Sequence, residues 1–187
     1  MDMEKISIKI CPMQKQDIDG VIAIEEATYG EHHWSKDSFY SELNNNLARY
    51  YCAFDENDTL MGYIGSWFVI DEAHITNLAI SPDFRRKHIG ESLLRTVIEN
   101  CFKEKIKYLT LEVRIGNAPA IGLYEKYSFK SLGTRKGYYQ DNNEDALIMW
   151  TENIFWDKFK EQYAKNVSAL DEKVDVKYYD NWKTSKS

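Results

Sequence analysis

Apolar residues recur along the chain at two different spacings, and each spacing predicts one kind of secondary structure. Ile6, Ile8 and Ile10 alternate with polar residues, and the same alternation returns from Leu109 to Val113. A period of two is typical of a strand with one buried face. Apolar runs predict further strands at 50–54, 61–70, 75–80, 129–132 and 146–150. The turn at 55–58 joins the first two as a hairpin, and a loop at 134–145 separates the last two.

Between these strands the apolar spacing changes to three and four residues, which predicts four helices. The first helix begins at Asp17 and ends near Gly30, and the second begins at Ser35, a residue type that caps helix N-termini. The third begins at Ile89, and the fourth is capped by Asn117. Strands and helices mixed around one sheet indicate the α+β class, or mixed α/β, rather than a helical bundle.

Length and charge narrow the function classes. A chain of 187 residues is long enough for one domain with a full core. Its net charge of −6 argues against nonspecific binding to nucleic acid or anionic membranes, and suits a cationic substrate. No apolar run reaches the roughly 18 residues of a membrane span, and we expect no targeting segment. The cysteines are far apart and the histidines lack metal-ligand spacing, which indicates a reduced, cytoplasmic protein without a bound metal.

A cationic segment links the strand at 75–80 to the third helix. It reads Arg85-Arg86-Lys87-His88-Ile89-Gly90. Unpaired N–H groups and the positive end of the helix dipole make a helix N-terminus a natural anion site, and three adjacent cations favour a polyphosphate. A solvated basic turn explains the same residues equally well.

The spacing of that segment resembles the acetyl-coenzyme A loop of the GNAT N-acetyltransferases, whose pattern is Arg/Gln-x-x-Gly-x-Gly/Ala. Here Arg85-x-x-His88-x-Gly90 follows a strand that ends Leu78-Ala79-Ile80. The resemblance implies that the loop amides bind the pyrophosphate of acetyl-CoA and that Leu78, Ala79 and Ile80 pair with the pantetheine arm. It also implies the GNAT fold, a central mixed and mostly antiparallel sheet that is splayed at the cofactor strand and flanked by helices. His88 departs from the pattern, since glycine is expected there.

A second stretch resembles one branch of that family, the ribosomal-protein alanine N-acetyltransferases. The stretch runs from Leu111 to Phe129, and the resemblance as a whole covers Ile6 to Trp150. It implies that Glu112 is the general base, that Tyr124 is the general acid toward the thiolate, and that Asn117 contacts the cofactor arm. Trp34, Tyr138 and Tyr139 match the branch as substrate-binding residues. Residues 1–150 then form the acetyltransferase domain, and 151–187 form an extension.

Taken alone, two of these residues have plainer interpretations. Glu112 alternates with Leu109, Leu111 and Val113, so it faces the other side of the sheet and is either solvent-facing or a base. Tyr124 lies on the inner stripe of its helix and is either a core residue or an acid.

Ser128 replaces the glycine usual after that helix, where a left-handed residue costs about 1 kcal/mol more as serine. In the extension we expect a helix packed on the domain or on a partner subunit, then a mobile end, rather than a substrate gate.

The chemistry of the acceptor favours an N-terminal α-amine. Its pKa is about 7.7–8.0, against about 10.4 for lysine, so a modest base has less proton affinity to overcome. The resemblance implies acetyl-CoA as the donor and a ribosomal protein as one acceptor, so we expect transfer of acetyl to a protein N-terminus by a monomer or homodimer. The alternatives are a GNAT enzyme for lysine side chains, polyamines or small amines, and a coenzyme A-binding module without turnover.

Overall fold

The computed structural model describes residues 4–180. Within that range the chain forms one sheet of eight strands and five α-helices. The strands are β1 (Ile6–Pro12), β2 (Ala48–Phe54), β3 (Leu60–Val69), β4 (Glu72–Ile80), β5 (Tyr108–Arg114), β6 (Phe129–Tyr139), β7 (Glu144–Thr151) and β8 (Val174–Tyr178). The helices are α1 (Ile18–Tyr29), α2 (Lys36–Leu43), α3 (Ile89–Lys103), α4 (Ala118–Lys126) and α5 (Asp157–Asp171).

Most neighbouring strands of the sheet are antiparallel. Their order is β6-β7-β5-β4-β3-β2-β1-β8. In the described part of the chain, two pairs are parallel, β4 with β5 and β1 with β8. This arrangement confirms the predicted fold class, a mixed and mostly antiparallel sheet flanked by helices.

The two central strands β4 and β5 separate part of the way along their length. Their ladder joins Glu72–Ile75 to Tyr108–Leu111 and, within residues 4–180, extends no further. A register shift between Gly65 and Ser66 of β3 lies opposite the point of separation, and such a bulge bends and twists the strands. The backbone edge of residues 76–80 that faces β5 therefore lacks a strand partner among the described residues. The splayed sheet that the resemblance implies is present.

Helices cover both faces of the sheet. On one face α3 buries Leu93 and Val97 in a cluster that also takes in residues of α4 and α5. On the other face α1 and α2 bury Val21 and Phe39 around Tyr63 of β3. No helix within residues 4–180 combines the length and the apolar content needed to cross a membrane.

The predicted helix ends are confirmed by their caps. The Ser35 hydroxyl accepts a hydrogen bond from the backbone N–H of Ser38 at 3.2 Å, at the start of α2. The side chain of Asn117 accepts one from the N–H of Ala120 at 3.2 Å, at the start of α4. Ser128, just after α4, has a φ of 66°, the left-handed conformation that costs a serine more than a glycine.

The predicted loop at 134–145 is wrong in its extent. Strand β6 continues to Tyr139, so the connection to β7 is short and Tyr138 and Tyr139 end a strand. The pairing runs through Thr134 opposite Leu147 and is interrupted by register shifts. As an outer strand of the sheet, β6 is mostly exposed and polar after its first residue. Its sequence therefore lacks the alternation on which strand prediction depends.

The segment after β7 contributes two elements to the fold. A helix there is predicted, and α5 is present, with Phe159 and Leu170 in the main core cluster. Strand β8 is not predicted, because it is five residues long and of these only Val174 is buried. The predicted mobile end falls partly on this strand and partly on residues 181–187, which lie outside the described range.

Candidate active site

The gap between β4 and β5 is bordered by the strand end predicted to hold the pantetheine arm. Ala79 is buried against the α1 and α2 face, while Leu78 and Ile80 pack against the opposite cluster. The hydroxyl of Tyr29, at the end of α1, lies 3.5 Å from the carbonyl oxygen of Leu78. The gap thus offers backbone groups of β4 on one side and an aromatic hydroxyl beside them.

The cationic segment forms a turn at the N-terminus of α3. Arg85, Arg86 and Lys87 are exposed, and within residues 4–180 none of them forms an ion pair. Lys87 instead lies over the ring of Phe84, at 5.1 Å from the ring centre. Because α3 is 15 residues long, its dipole and the free N–H groups of its first turn add to the positive potential. The geometry fits a bound polyphosphate.

The backbone of this turn is unusual for the residues it contains. Arg86 has a φ of 60° and His88 a φ of 59°, so both adopt a left-handed conformation that favours glycine. Successive backbone N–H groups in such turns form concave anion sites. A Cβ added to Gly90 would meet its nearest neighbour, a carbon of Ile80, at 3.7 Å, an ordinary contact. The packing of the protein itself therefore does not require glycine at position 90, whereas close approach of a ligand would.

The imidazole of His88 turns back toward its own helix. Its Nδ1 lies 3.2 Å from Oε2 of Glu91, a buried carboxylate that also accepts hydrogen bonds from Lys126 and from the Tyr127 hydroxyl. Burial opposes the charge of Glu91, but the bonds from Lys126, Tyr127 and His88 outweigh it, and the pKa of Glu91 is lowered. The carboxylate of Glu91 therefore links the turn at His88 to the C-terminal end of α4.

Glu112 lies on the opposite face of β5 from Leu109 and Leu111, as its alternation predicts. Its side chain is only 11% exposed. Oε2 lies 2.6 Å from Nε2 of His74 on β4, and Oε1 lies 3.3 Å from the guanidinium of Arg135 on β6. The hydrogen bond from His74 lowers the pKa of Glu112, and the charges of His74 and Arg135 add to that effect against the cost of burial. A solvent-facing glutamate is not what the structure contains.

Tyr124 is buried beside the ring of Phe129, at 5.5 Å between ring centres. Its residual exposure is 5%, and within residues 4–180 its hydroxyl has no hydrogen-bond partner. Burial raises the pKa of Tyr124 well above its usual value, and the nearby hydroxyls of Tyr29 and Tyr139 raise it further. Buried hydroxyls are nearly always paired, so an unpaired one suggests a ligand atom as its partner. Tyr124 can therefore be part of the core cluster and also donate a hydrogen bond to a bound ligand.

The predicted substrate residues occupy different positions. Tyr139 packs under the guanidinium of Arg114, 3.9 Å from the ring centre, and influences Tyr29 and Tyr124 electrostatically. Tyr138 contacts Tyr139 edge to face and is exposed. Burial raises the pKa of Tyr29 to about 12, with Glu25 and Tyr139 adding to the shift. Tyr139 therefore belongs to a tyrosine cluster with Tyr29 and Tyr124, and Tyr138 lies at its outer edge.

Trp34 lies in the segment between α1 and α2. Its ring packs against Phe39 at 5.7 Å, beside an open surface pocket of about 530 Å³. Its backbone N–H donates to the buried carboxylate of Glu25 at 3.0 Å, which fixes the path of the segment. Asn117 uses its side-chain oxygen to cap α4, so its amide N–H groups remain available to a ligand.

Four residues of the site carry no role in the sequence prediction: Tyr29, His74, Arg114 and Arg135. Tyr29 falls in a predicted helix and Arg135 in a predicted loop, while His74 and Arg114 adjoin predicted strands; tyrosine, histidine and arginine are ordinary residues in all these places. Nothing in the position of His74, directly before the predicted strand at 75–80, identifies Glu112 as its partner. Within residues 4–180, no cluster of three or more histidine, cysteine or acidic side chains has the geometry to hold a metal ion.

Comparison with known proteins places this geometry in a family. A family model described as the acetyltransferase (GNAT) family matches residues 19–129. A Bacillus subtilis (strain 168) protein, named provisionally as a ribosomal protein bS18-alanine N-acetyltransferase, is 46% identical over 138 residues, which is 74% of this chain and 91% of the relative. The crystal structure of the ribosomal-protein-S18-alanine N-acetyltransferase from Escherichia coli is 30% identical with a TM-score of 0.71, covering 78% of this chain and 94% of that one. The PaiA N-acetyltransferase of Thermoplasma acidophilum, solved in complex with coenzyme A, matches in fold at 22% identity with a TM-score of 0.65, covering 79% of this chain and 99% of that one.

Proposed function

Because the chain belongs to the GNAT acetyltransferase family and is an acetyl-CoA-dependent enzyme, we propose that it acetylates the N-terminal α-amine of a protein, the N-terminal alanine of ribosomal protein bS18. Relatives at 46% and 30% identity bear that name and span about three quarters of this chain. The observation that carries the proposal is the gap between β4 and β5, where the shielded carboxylate of Glu112 lies just past the end of the ladder. The Tyr29 hydroxyl contacts Leu78 at the gap, and Tyr29 interacts electrostatically with Tyr124, whose buried hydroxyl has no hydrogen-bond partner within residues 4–180. The predicted cytoplasmic location is part of the proposal, since ribosomal proteins are made there.

The residues around the gap fit acetyl-CoA. The exposed cations Arg85, Arg86 and Lys87, with the amides at the start of α3, would hold the pyrophosphate. The free backbone edge of residues 78–80 would pair with the pantetheine arm, and the amide of Asn117 would contact it. Bound in this way, acetyl-CoA supplies an activated acetyl thioester. A backbone N–H of the free β4 edge would stabilise the charge that develops on the carbonyl oxygen.

Glu112 acts as the proton acceptor for the amine. It stays ionised at neutral pH although it is shielded, because the bond from His74 and the charge of Arg135 outweigh the effect of burial and lower its pKa. A carboxylate of low pKa is a modest base: it can take the proton of an α-ammonium group, whose pKa is about 8, but it has far more proton affinity to overcome at a lysine, whose pKa is about 10.4. At pH 7.4 about a quarter of α-amines are already neutral, against about one lysine in a thousand. A weakly basic Glu112 therefore favours an α-amine over a lysine side chain.

Tyr124 acts as the proton donor to the departing sulfur. Its raised pKa keeps the phenol protonated throughout the neutral range, as a general acid requires. The hydroxyl is unpaired among the described residues, so it is free to point at a ligand atom in the gap. Burial in the core cluster beside Phe129 fixes the direction of the ring. The same burial excludes water, which would compete with the amine.

An acetylation assay with two matched peptides tests this function. One begins with a free alanine and carries basic residues downstream, and the other has the same sequence with a blocked N-terminus and free lysines. We expect thiol release from acetyl-CoA with the first peptide and little with the second, and mass spectrometry should place the acetyl group on the α-amine. Acetyl groups found mainly on lysines would favour a lysine or small-amine acetyltransferase. Tight binding of acetyl-CoA without turnover on any amine would indicate a binding module.

A further inference from the structure

We propose that His74 is a positioning residue for this reaction, which holds the carboxylate of Glu112 at the mouth of the gap by a hydrogen bond between neighbouring strands. The inference rests on the proposed function, in which Glu112 receives the proton of the amine.

The hydrogen bond crosses the sheet at the point where the two strands part. His74 of β4 lies opposite Thr110 of β5 in the parallel ladder, and the ladder ends one residue later. Glu112 is two residues beyond Thr110, so it lies on the same face and is the first residue of β5 past the ladder. The Nε2 of His74 lies 2.6 Å from Oε2 of Glu112. The free end of β5 therefore carries the base, Glu112. The last paired part of β4 carries His74, which holds Glu112 in place.

His74 is itself held in place from the other side. Trp67 of β3 is its register partner, and the two rings meet edge to face at 6.2 Å and 83°. The indole N–H of Trp67 donates to the carboxylate of Glu42 on α2 at 2.5 Å. The order Glu42, Trp67, His74, Glu112 thus forms a continuous row of contacts from α2 to the gap. A side chain with neighbours fixed in this way can orient another.

Without that hydrogen bond, Glu112 would have a competing partner. Arg135 lies 3.3 Å from Oε1, and its side chain is 55% exposed, so it can draw the carboxylate toward solvent. The groups that face Glu112 are His74 from β4, Arg135 from β6 and Tyr139 at the end of β6. Among them His74 has the largest effect on the pKa of Glu112, and it lowers that pKa. Loss of the bond should therefore both release the side chain and raise its pKa.

Two substitutions separate hydrogen bonding from ring packing. His74→Phe keeps a flat ring against Trp67 but has no N–H to donate. His74→Gln loses the ring but keeps a donor within reach of Glu112. We expect His74→Phe to lower kcat by about tenfold or more, because bonds to charged groups are among the stronger ones. KM for acetyl-CoA should stay within about twofold, and His74→Gln should retain kcat within about threefold.

A second readout needs no turnover. Carbon-13 NMR of the Glu112 carboxyl, titrated with pH, should give a higher pKa in His74→Phe than in the wild type, with His74→Gln between them. Equal kcat in His74→Phe and wild type, or equal losses in both variants, would overturn the positioning role, as would an unchanged titration. A wild-type protein that acetylates no peptide α-amine would overturn the proposed function instead, and the NMR titration would still decide whether His74 controls Glu112.

Discussion

Val174 of the last strand pairs in parallel with Ile6 of the first, so the two ends of the described chain meet in one sheet. The backbone N–H of Ile6 donates to the carbonyl of Lys173 at 3.0 Å and closes that contact. An uncovered β1 would be an edge strand that invites pairing with another chain. Four strands, β1 to β4, lie between β8 and the gap, and this distance argues for a structural role of β8.

The extension should therefore contribute to the stability of the whole domain. Phe159 of α5 is buried beside Phe102 of α3. We expect Phe159→Ala to lower the free energy of unfolding by about 3–5 kcal/mol, the usual cost of removing a buried aromatic ring. Trp156→Ala is the control, since that side chain is 57% exposed and its loss should cost about 0.5 kcal/mol or less. Equal midpoints in urea for both variants would mean that α5 is not part of the cooperative unit.

Glu112→Gln should slow turnover and change its pH dependence. The wild-type carboxylate stays ionised below neutral pH because its pKa is lowered, so it can still accept a proton as the pH falls below 7. The variant depends on amine that is already neutral, and that fraction falls tenfold for each pH unit below the pKa of the amine. The loss in kcat/KM should be greatest at low pH and smaller at high pH. A loss that does not vary with pH would assign Glu112 to binding rather than to proton transfer.

Tyr124→Phe should separate activity from stability. The substitution removes a buried hydroxyl without a hydrogen-bond partner among the described residues, and losing such a group is neutral or stabilising. We expect an unchanged or higher Tm, an unchanged Kd for acetyl-CoA and a kcat lower by about 10²-fold or more. Calorimetry, thermal unfolding and thiol release measure the three quantities. Full activity would return Tyr124 to the role of a core residue.

Arg86→Glu should weaken acetyl-CoA binding by at least about tenfold, because it places a negative charge in the turn that would hold the pyrophosphate. Lys103→Glu makes the same change in net charge at the other end of α3, on an exposed side chain far from the turn. Calorimetry should show nearly wild-type affinity for that control. Two variants with the same affinity would refute the assignment of the turn as the phosphate site.

His88→Gly should change acetyl-CoA affinity by less than about tenfold. Glycine adopts the φ of 59° without strain, but the substitution also removes the contact of the imidazole with Glu91. Relief of the strain should tighten acetyl-CoA binding, and loss of the contact should weaken it by a similar amount. Lys105→Gly is the control, because Lys105 has a φ of 60° and lies at the other end of α3. A hundredfold tightening in His88→Gly alone would show that histidine distorts the phosphate site.

Helices and strands could be predicted from the sequence wherever one face of the element is buried, because burial of one face spaces the apolar residues at a regular period. Ile6 to Ile10 and the helix that begins at Ile89 are such cases, and both are present as predicted. The turn from Arg85 to Gly90 could be predicted because all of its signals are adjacent in the sequence: cations, a helix start and a glycine follow one another. Strand β6 could not, since an exposed outer strand carries no hydrophobic period.

The tertiary structure alone decided which distant side chains meet. His74 and Glu112 are far apart in sequence, and only the parallel register of β4 and β5 places them 2.6 Å apart. The same holds for Tyr29 and Tyr139 around Tyr124, and for β8 beside β1. The period of apolar residues shows which residues of a strand or helix face the core, because each residue is buried or exposed according to its own position in the element. Strand order and register depend on the packing of the whole sheet, and no local pattern encodes them.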